Sequence, residues 1–174
     1  MKLSYRKVTA DEVGPLHAIV WECGRDIADR FGLIHWLPPY SIEAMRENAV
    51  SRNVHAIYAD SEIIGTFTTG TYGWKYDEHI WADRNHRALY LGKLAIRPHL
   101  QGAGIGSWVI GQVEQQACDL VCQTVRFDAI TAHTKLVNFY LKLGYQPRGP
   151  QQVTDPLGRK WEVTALEKVL GNRD

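Results

Sequence analysis

Apolar and polar positions change their spacing several times along this chain, and each change predicts an element. Leu3 to Val8 reads as a short first strand. Val13, Leu16, Val20, Cys23, Ile27 and Phe31 then recur at three- and four-residue steps, the rhythm of a helix with one buried stripe. Thr9 and Glu12 have capping-box spacing ahead of that helix, Pro15 is tolerated only in a first turn, and Gly32 supplies the stop. After the stiff aromatic loop from His35 to Tyr40, Ser41 caps a second, short helix with Ile42, Met45 and Ala49 inward. Val54 to Ala59 and Ile63 to Tyr72 read as a hairpin over Asp60-Ser61-Glu62, with Gly65 marking a bulge or a close backbone approach.

From Gly73 to Arg87 no period survives, and Trp74, Tyr76 and Trp81 are mixed with charge. A loop this long in a compact domain is usually functional or mobile; it is either a candidate acceptor-substrate loop or an exposed hairpin tip. Ala88 to Ile96 is the next strand. A glycine-rich turn follows, then a helix from about Ile105 to Val121 with Ile105, Val109, Val113, Ala117 and Leu120 in its stripe. Thr124 to Ala132 is strongly β, with Val125, Phe127, Ala129 and Thr131 on one face. Such a strand–helix–strand unit crosses over right-handed, so its two strands run parallel. His133-Thr134 opens a short helix through Leu143, Gly144 ends it, and Tyr145–Val153 with Trp161–Val169 form a closing hairpin.

Composition narrows the class. A chain of 174 residues, 45% apolar and 22% charged, has the size and balance of one globular domain. A net charge of +1 gives no electrostatic footprint for nucleic acid. No apolar run has the length of a membrane span, and the start lacks a signal-peptide core, so a soluble cytoplasmic protein is expected. Three cysteines, an odd number without a framework pattern, point to reduced thiols, and Cys118 with Cys122 lacks the further ligands a metal would need.

The candidate chemistry begins in the glycine turn, Gln101-Gly102-Ala103-Gly104-Ile105-Gly106. Glycine lets the backbone curl around a ligand with several N–H groups inward, and the helix start adds its unpaired N–H groups and the positive end of its dipole. That combination holds a phosphate or pyrophosphate without a metal. A Walker loop is excluded because no lysine follows the glycines, and neither possible frame completes GxGxxG, since Ser107 and Val109 stand where the last glycine belongs. A Q-x-x-G-x-G turn for the pyrophosphate of coenzyme A fits as it stands. The competing reading is a tight strand-to-helix turn with no ligand.

Two motifs stand in fixed order: Leu94-Ala95-Ile96 leading to Gln101-x-x-Gly104-x-Gly106, then Tyr140-Leu-Lys142-Leu-Gly144-Tyr145. The pair resembles the GCN5-related N-acetyltransferase (GNAT) superfamily, and the order of elements fits from the first strand to the last hairpin. The resemblance implies a single α/β domain, residues 1–174, with a mixed sheet of about six to seven strands, about four helices, and splayed parallel strands at the coenzyme. It implies acetyl-CoA, or another acyl-CoA, as co-substrate and transfer to a primary amine, the alternative being an acyl-CoA-binding sensory module without transfer. Trp36, Tyr40, Trp74 and Trp81 would build a closed aromatic pocket, which points to a small-molecule amine acceptor; no metal, nucleic acid or membrane partner is expected, and a homodimer is compatible. By the same resemblance Leu94, Ala95 and Ile96 line the pantetheine, with the Leu94 N–H on the thioester carbonyl. The amides of Gly102, Ala103, Gly104, Ile105, Gly106 and Ser107, after Gln101, hold the pyrophosphate. Tyr140 is expected to be the general acid on the leaving sulfur, the alternative being a core tyrosine on an amphipathic helix. Many relatives carry asparagine where this chain has His133; the histidine either contacts the coenzyme or simply starts the helix. The general base is not legible: Asp83, His79, Glu78, His86 and Tyr90 are candidates by proximity in sequence, and a water chain would also suffice.

Overall fold

The computed structural model describes residues 1–73 and 76–171. They carry seven strands and four α-helices: β1 (Leu3–Lys7), α1 (Gly14–Phe31), α2 (Ile42–Ser51), β2 (Asn53–Ala59), β3 (Glu62–Gly70), β4 (Ala88–Ile96), α3 (Ile105–Asp119), β5 (Thr124–Ile130), α4 (Thr134–Lys142), β6 (Gln146–Thr154) and β7 (Lys160–Val169). The strands follow the order β1-β2-β3-β4-β5-β7-β6 in one mixed sheet. β4 and β5 run parallel, with Ala88 opposite Thr124 and Tyr90 opposite Arg126, as the crossover demands. The residues group into two compact units. One comprises Met1–Thr69 and Gly92–Trp108; the other comprises Gly70–Leu91 and the chain from Val109 on.

The first unit is built on α1. Leu16, Ile19, Val20 and Cys23 form its buried stripe and pack with Met45 and Ala49 of α2, Val54 and Ala56 of β2, and Ala95 of β4. The leucine, isoleucine, valine and methionine side chains among them each contribute about 1.5–3 kcal/mol when fully withdrawn from water. Gly32, at φ 67°, ends α1 in the left-handed region. The capping box of Thr9 and Glu12 is present, but it closes a separate 3₁₀ turn, Ala10–Glu12. α1 itself starts two residues later, with Pro15 in its first turn. Ser41 caps α2 by accepting the Ala44 N–H at 3.1 Å. Both expectations for Gly65 hold. The β2–β3 register shifts at Ile57/Tyr58, and a β-carbon at Gly65 would lie 2.5 Å from the Ala95 carbonyl oxygen.

In the second unit β5 pairs antiparallel with β7, and β7 with β6. Phe127 lies on the β5 face that meets Tyr140 and Tyr145. The opposite face carries Arg126, which is 2% exposed. The loop after β3 contains a 3₁₀ turn, Glu78–Ile80, with Asp77 accepting the His79 N–H. One sequence expectation fails here. α3 stops at Asp119, so Leu120 lies outside the helix and is exposed instead of joining its stripe. The stop is a Schellman motif. Val121 N–H bonds Cys118 O at 3.0 Å and Cys122 N–H bonds Ala117 O at 2.8 Å. Val121 holds the left-handed position at φ 55° where glycine is usual.

Candidate active site

In the first unit, the end of β4 and the glycine turn form one continuous piece. Lys93 sits in the left-handed region at φ 55° within the strand, just before Leu94. At the strand end the Ile96 carbonyl accepts two bonds, from Cys23 Sγ at 3.1 Å and from Gln101 Nε2 at 3.0 Å. Gln101 therefore ties the turn back to the strand with its side chain. Arg97 fixes the exit from the strand: its N–H bonds Ile64 O at 2.9 Å and its guanidinium bonds Glu22 at 2.6 Å. Pro98–Leu100 make one 3₁₀ turn, which the sequence did not announce.

The glycines are used as the sequence pattern required. Gly102 and Gly104 have φ of 84° and 81°, and no protein atom lies within 4 Å of where either β-carbon would be. A main chain bent this way turns successive N–H groups to one side. The first N–H of α3 to find a carbonyl is that of Trp108, on Gly104 O at 3.0 Å. No main-chain acceptor among the described residues claims the amides from Gly102 to Ser107. Ile105, 1% exposed, roots the helix start. A row of unclaimed donors at the positive end of a 15-residue helix suits an anion of phosphate geometry.

Tyr140 belongs to the second unit. It is buried on α4, edge-on to Phe127 at 4.6 Å between ring centres and to Phe139 at 5.0 Å. Its hydroxyl has no hydrogen-bond partner among the described residues. Burial, with the Asp128 carboxylate adding, holds its pKa above the ordinary phenol range. His133 is the N-cap of the same helix, and its Nδ1 accepts the Leu136 N–H at 3.3 Å. The helix-start role is thus present.

Of the base candidates from the loop, Asp83 and His86 are engaged locally. Asp83 Oδ1 accepts the Asn85 N–H at 2.8 Å, and Asp83 Oδ2 lies 3.8 Å from His86 Nε2. Trp74 lies outside the described residues. Trp36 and Tyr40 pack against the core of the first unit, whereas Trp81 is buried in the second. Two groups that the sequence reading passed over stand out on β5. Arg126 and Glu167 form a buried ion pair at 2.9 Å, and Glu167 also takes Arg148 at 2.7 Å and the Ala82 N–H at 2.9 Å. Arg126 in turn bonds Asp83 O at 2.6 Å and lies 4.9 Å from the centre of the Trp81 ring. Two residues along, Asp128 accepts a bond of 2.6 Å from the Tyr76 hydroxyl. The available signal was the polar alternation of Thr124, Arg126 and Asp128 opposite the apolar face of β5.

Among known proteins, the model of the acetyltransferase (GNAT) family matches residues 17–145. The thialysine N-epsilon-acetyltransferase of Mus musculus is 30% identical over 130 residues, which are 70% of this chain and 74% of that protein. Its Sus scrofa counterpart is 31% identical over 112 residues, 60% of this chain and 64% of that one. Among solved structures, a GNAT family acetyltransferase from Elizabethkingia anophelis with acetyl-CoA bound matches at a TM-score of 0.65 and 14% identity, over 97% of this chain and 98% of that one. The PaiA N-acetyltransferase from Thermoplasma acidophilum, in complex with coenzyme A, matches at 0.69 and 15%, over 98% and 100%. At such identities the two structures show a shared fold.

Proposed function

The chain belongs to the GNAT family of acetyltransferases, and on that premise we propose that it moves an acetyl group from acetyl-CoA to a primary amine of a small molecule. We take residues 1–174 as one acetyltransferase domain, working in the cytoplasm. The observation that carries the coenzyme half is the turn of Gly102 and Gly104, with its positive φ angles and unclaimed amides at the start of α3. These amides, from Gly102 to Ser107, hold the pyrophosphate, and Gln101 braces the turn. Leu94, Ala95 and Ile96 line the pantetheine. The Leu94 N–H donates to the thioester oxygen and supports it as charge gathers there. Support for an amine acceptor comes from the mouse and pig relatives, which are named for the ε-nitrogen of thialysine.

Transfer is direct. The amine attacks the carbonyl carbon, the C–N bond forms, and the C–S bond breaks towards sulfur. Tyr140 donates its hydrogen bond, then its proton, to that sulfur. Its raised pKa keeps the phenol protonated throughout the neutral range. A covalent acyl-cysteine route has poor candidates. Burial pushes the Cys23 thiol up to about 12, and its S–H already serves Ile96 O. Cys122 is buried and likewise raised.

The test is calorimetry with acetyl-CoA together with turnover on a panel of primary amines. Binding is expected in the parent and is strongly weakened in Gly104→Val, which puts a branched side chain at φ 81° in the cradle. Tyr140→Phe is expected to keep the coenzyme affinity and lose about 10²-fold or more in kcat. A parent protein with no affinity for any coenzyme A derivative refutes the reading.

A further inference from the structure

Resting on the reading above, we propose that Asp128 is the docking and proton-accepting group for the acceptor: Oδ1 receives the substrate's primary ammonium, held in place by the Tyr76 hydroxyl on Oδ2 and flanked by an aromatic cluster. The argument starts from what Asp128 does not have. It is partly buried, and among the described residues its one hydrogen bond is the 2.6 Å bond from Tyr76 to Oδ2. Among the described residues Oδ1 has no partner. A carboxylate held this way is costly unless a cation arrives to complete it. The nearest cation on its own strand, Arg126, is turned to Glu167 and to Asp83 O. Glu167 also absorbs Arg148. The fold therefore spends two arginines on one glutamate and, among the described residues, leaves Asp128 without a counter-ion.

The surroundings suit an alkylammonium. Tyr76, which orients Asp128, stacks on Tyr90 at 6.2 Å and meets Trp81 edge-on at 5.3 Å. Aromatic faces attract ammonium groups and tolerate the methylenes behind them. The cluster draws on the loop that the sequence marked as a candidate for the acceptor, and its carboxylate comes from β5. Asp128 also acts on Tyr140, since its charge contributes to the raised phenol pKa. Acid and base thus stand within electrostatic reach of each other in one unit. Among the described residues, the titratable and charged groups around Asp128 are Tyr76 from the loop and Tyr140 from α4. On its own face of the sheet there are Tyr90 and the mutually paired Arg126, Glu167 and Arg148. Burial raises the Asp128 pKa, with the Tyr76 bond opposing, which makes it a stronger base than an exposed aspartate.

The proton balance closes. The ammonium gives one proton to Oδ1 and becomes nucleophilic. Attack forms the C–N bond and departure of sulfur breaks the C–S bond. Sulfur takes the Tyr140 proton, and the nitrogen's second proton returns to Tyr140. Asp128 releases its proton to solvent as product leaves, so one proton is liberated per turnover.

The decisive variant is Asp128→Asn, which keeps an acceptor for the Tyr76 hydroxyl and removes the charge. Its probes are n-pentylammonium, titrated calorimetrically into the protein with and without coenzyme A, and thialysine and n-pentylamine as acceptors. The parent is expected to bind n-pentylammonium, and the variant to lose at least tenfold in affinity at unchanged coenzyme A affinity. Its kcat/KM is expected to fall at least 10²-fold at pH 7 and to recover as pH rises towards the amine's own pKa. The deficit should shrink for 2,2,2-trifluoroethylamine, which is already neutral at pH 7. Tyr76→Phe, which keeps the charge, is expected to lose less than tenfold and serves should Asp128→Asn fail to fold. An Asp128→Asn protein with kcat/KM within twofold of the parent, or a deficit equal for all amines, overturns the proposal. So does a parent that neither binds n-pentylammonium nor turns over an amine, and so does a Tyr76→Phe loss above 10²-fold. Absence of coenzyme binding in the parent instead refutes the acetyl-transfer reading and leaves the ammonium titration to judge Asp128.

Discussion

Replacing Lys93 by methionine should make this protein more stable at neutral pH, and the gain should vanish in alkali. The Lys93 ammonium lies 3.5 Å from the centre of the Tyr40 ring. Burial, with the charge of Arg52 adding, lowers its pKa from 10.5 to about 8. At about 1.4 kcal/mol per pH unit, such a lysine costs the native state about 3 kcal/mol at pH 7. The aromatic face returns part of this, about 2 kcal/mol for a desolvated pair. The penalty wins, leaving a net cost of about 1 kcal/mol by these values. Lys93→Met keeps an unbranched apolar stem against the ring and removes the charge. Both side chains share the φ of 55°, so backbone strain cancels in the comparison. The sign follows from proton counts. Below about pH 8 the parent carries the whole penalty. Between about 8 and 10.5 the unfolded chain keeps the proton that the native protein has lost, so parent stability climbs with pH. Above that range the two proteins converge. Urea unfolding of both proteins from pH 6 to 11 reads the difference directly, because other titrating groups cancel. A methionine variant that is less stable at pH 7, or a gap that stays constant across the alkaline window, refutes the reasoning.

His55 supplies the acid counterpart. Its ring stacks on Phe67 at 4.5 Å, and burial lowers its pKa from 6.5 to about 4. The unfolded chain binds its proton first as pH falls, so stability should drop by up to about 3 kcal/mol between pH 6.5 and 4. His55→Phe should abolish that share of the loss; an identical acid slope in urea titrations of parent and variant would count against it. At the end of α3, Val121→Gly should stabilise the protein by about 1 kcal/mol, because an exposed valine holds a left-handed position there. A lower thermal midpoint for that variant would show that the Schellman geometry does not govern the helix end.

The regular elements were legible where one face dominates the pattern. α1 and β4 matched their sequence bounds closely because burial writes a strong period into them. Ends were misread where a signal was shared or missing. Thr9 and Glu12 do cap a turn, but Pro15 separates it from α1. α3 ends on a Schellman motif without its glycine, so neither the stop nor the exposure of Leu120 was written in residue type. The short 3₁₀ turns at Glu78–Ile80 and Pro98–Leu100 carry no periodicity at all.

The two halves of the candidate site differ in legibility for a physical reason. The proposed coenzyme half is made of main chain, and main chain reports itself through glycine: positions that need φ near 80° strongly favour it, and Gly102 and Gly104 are such positions. The proposed acceptor half is made of side-chain charge, whose meaning depends on what pairs with what. Glu78, Asp83, His79 and His86 drew attention because they stand together in sequence, yet Asp83 is engaged in its own turn and with His86. Asp128 looked like one more polar residue in a strand. Its character comes from Arg126 reaching a glutamate 41 residues away instead of the aspartate two residues away. A count of charges cannot show that diversion, because both arrangements have the same composition. Only the geometry of the ion pairs separates a balanced surface from a carboxylate kept for a ligand.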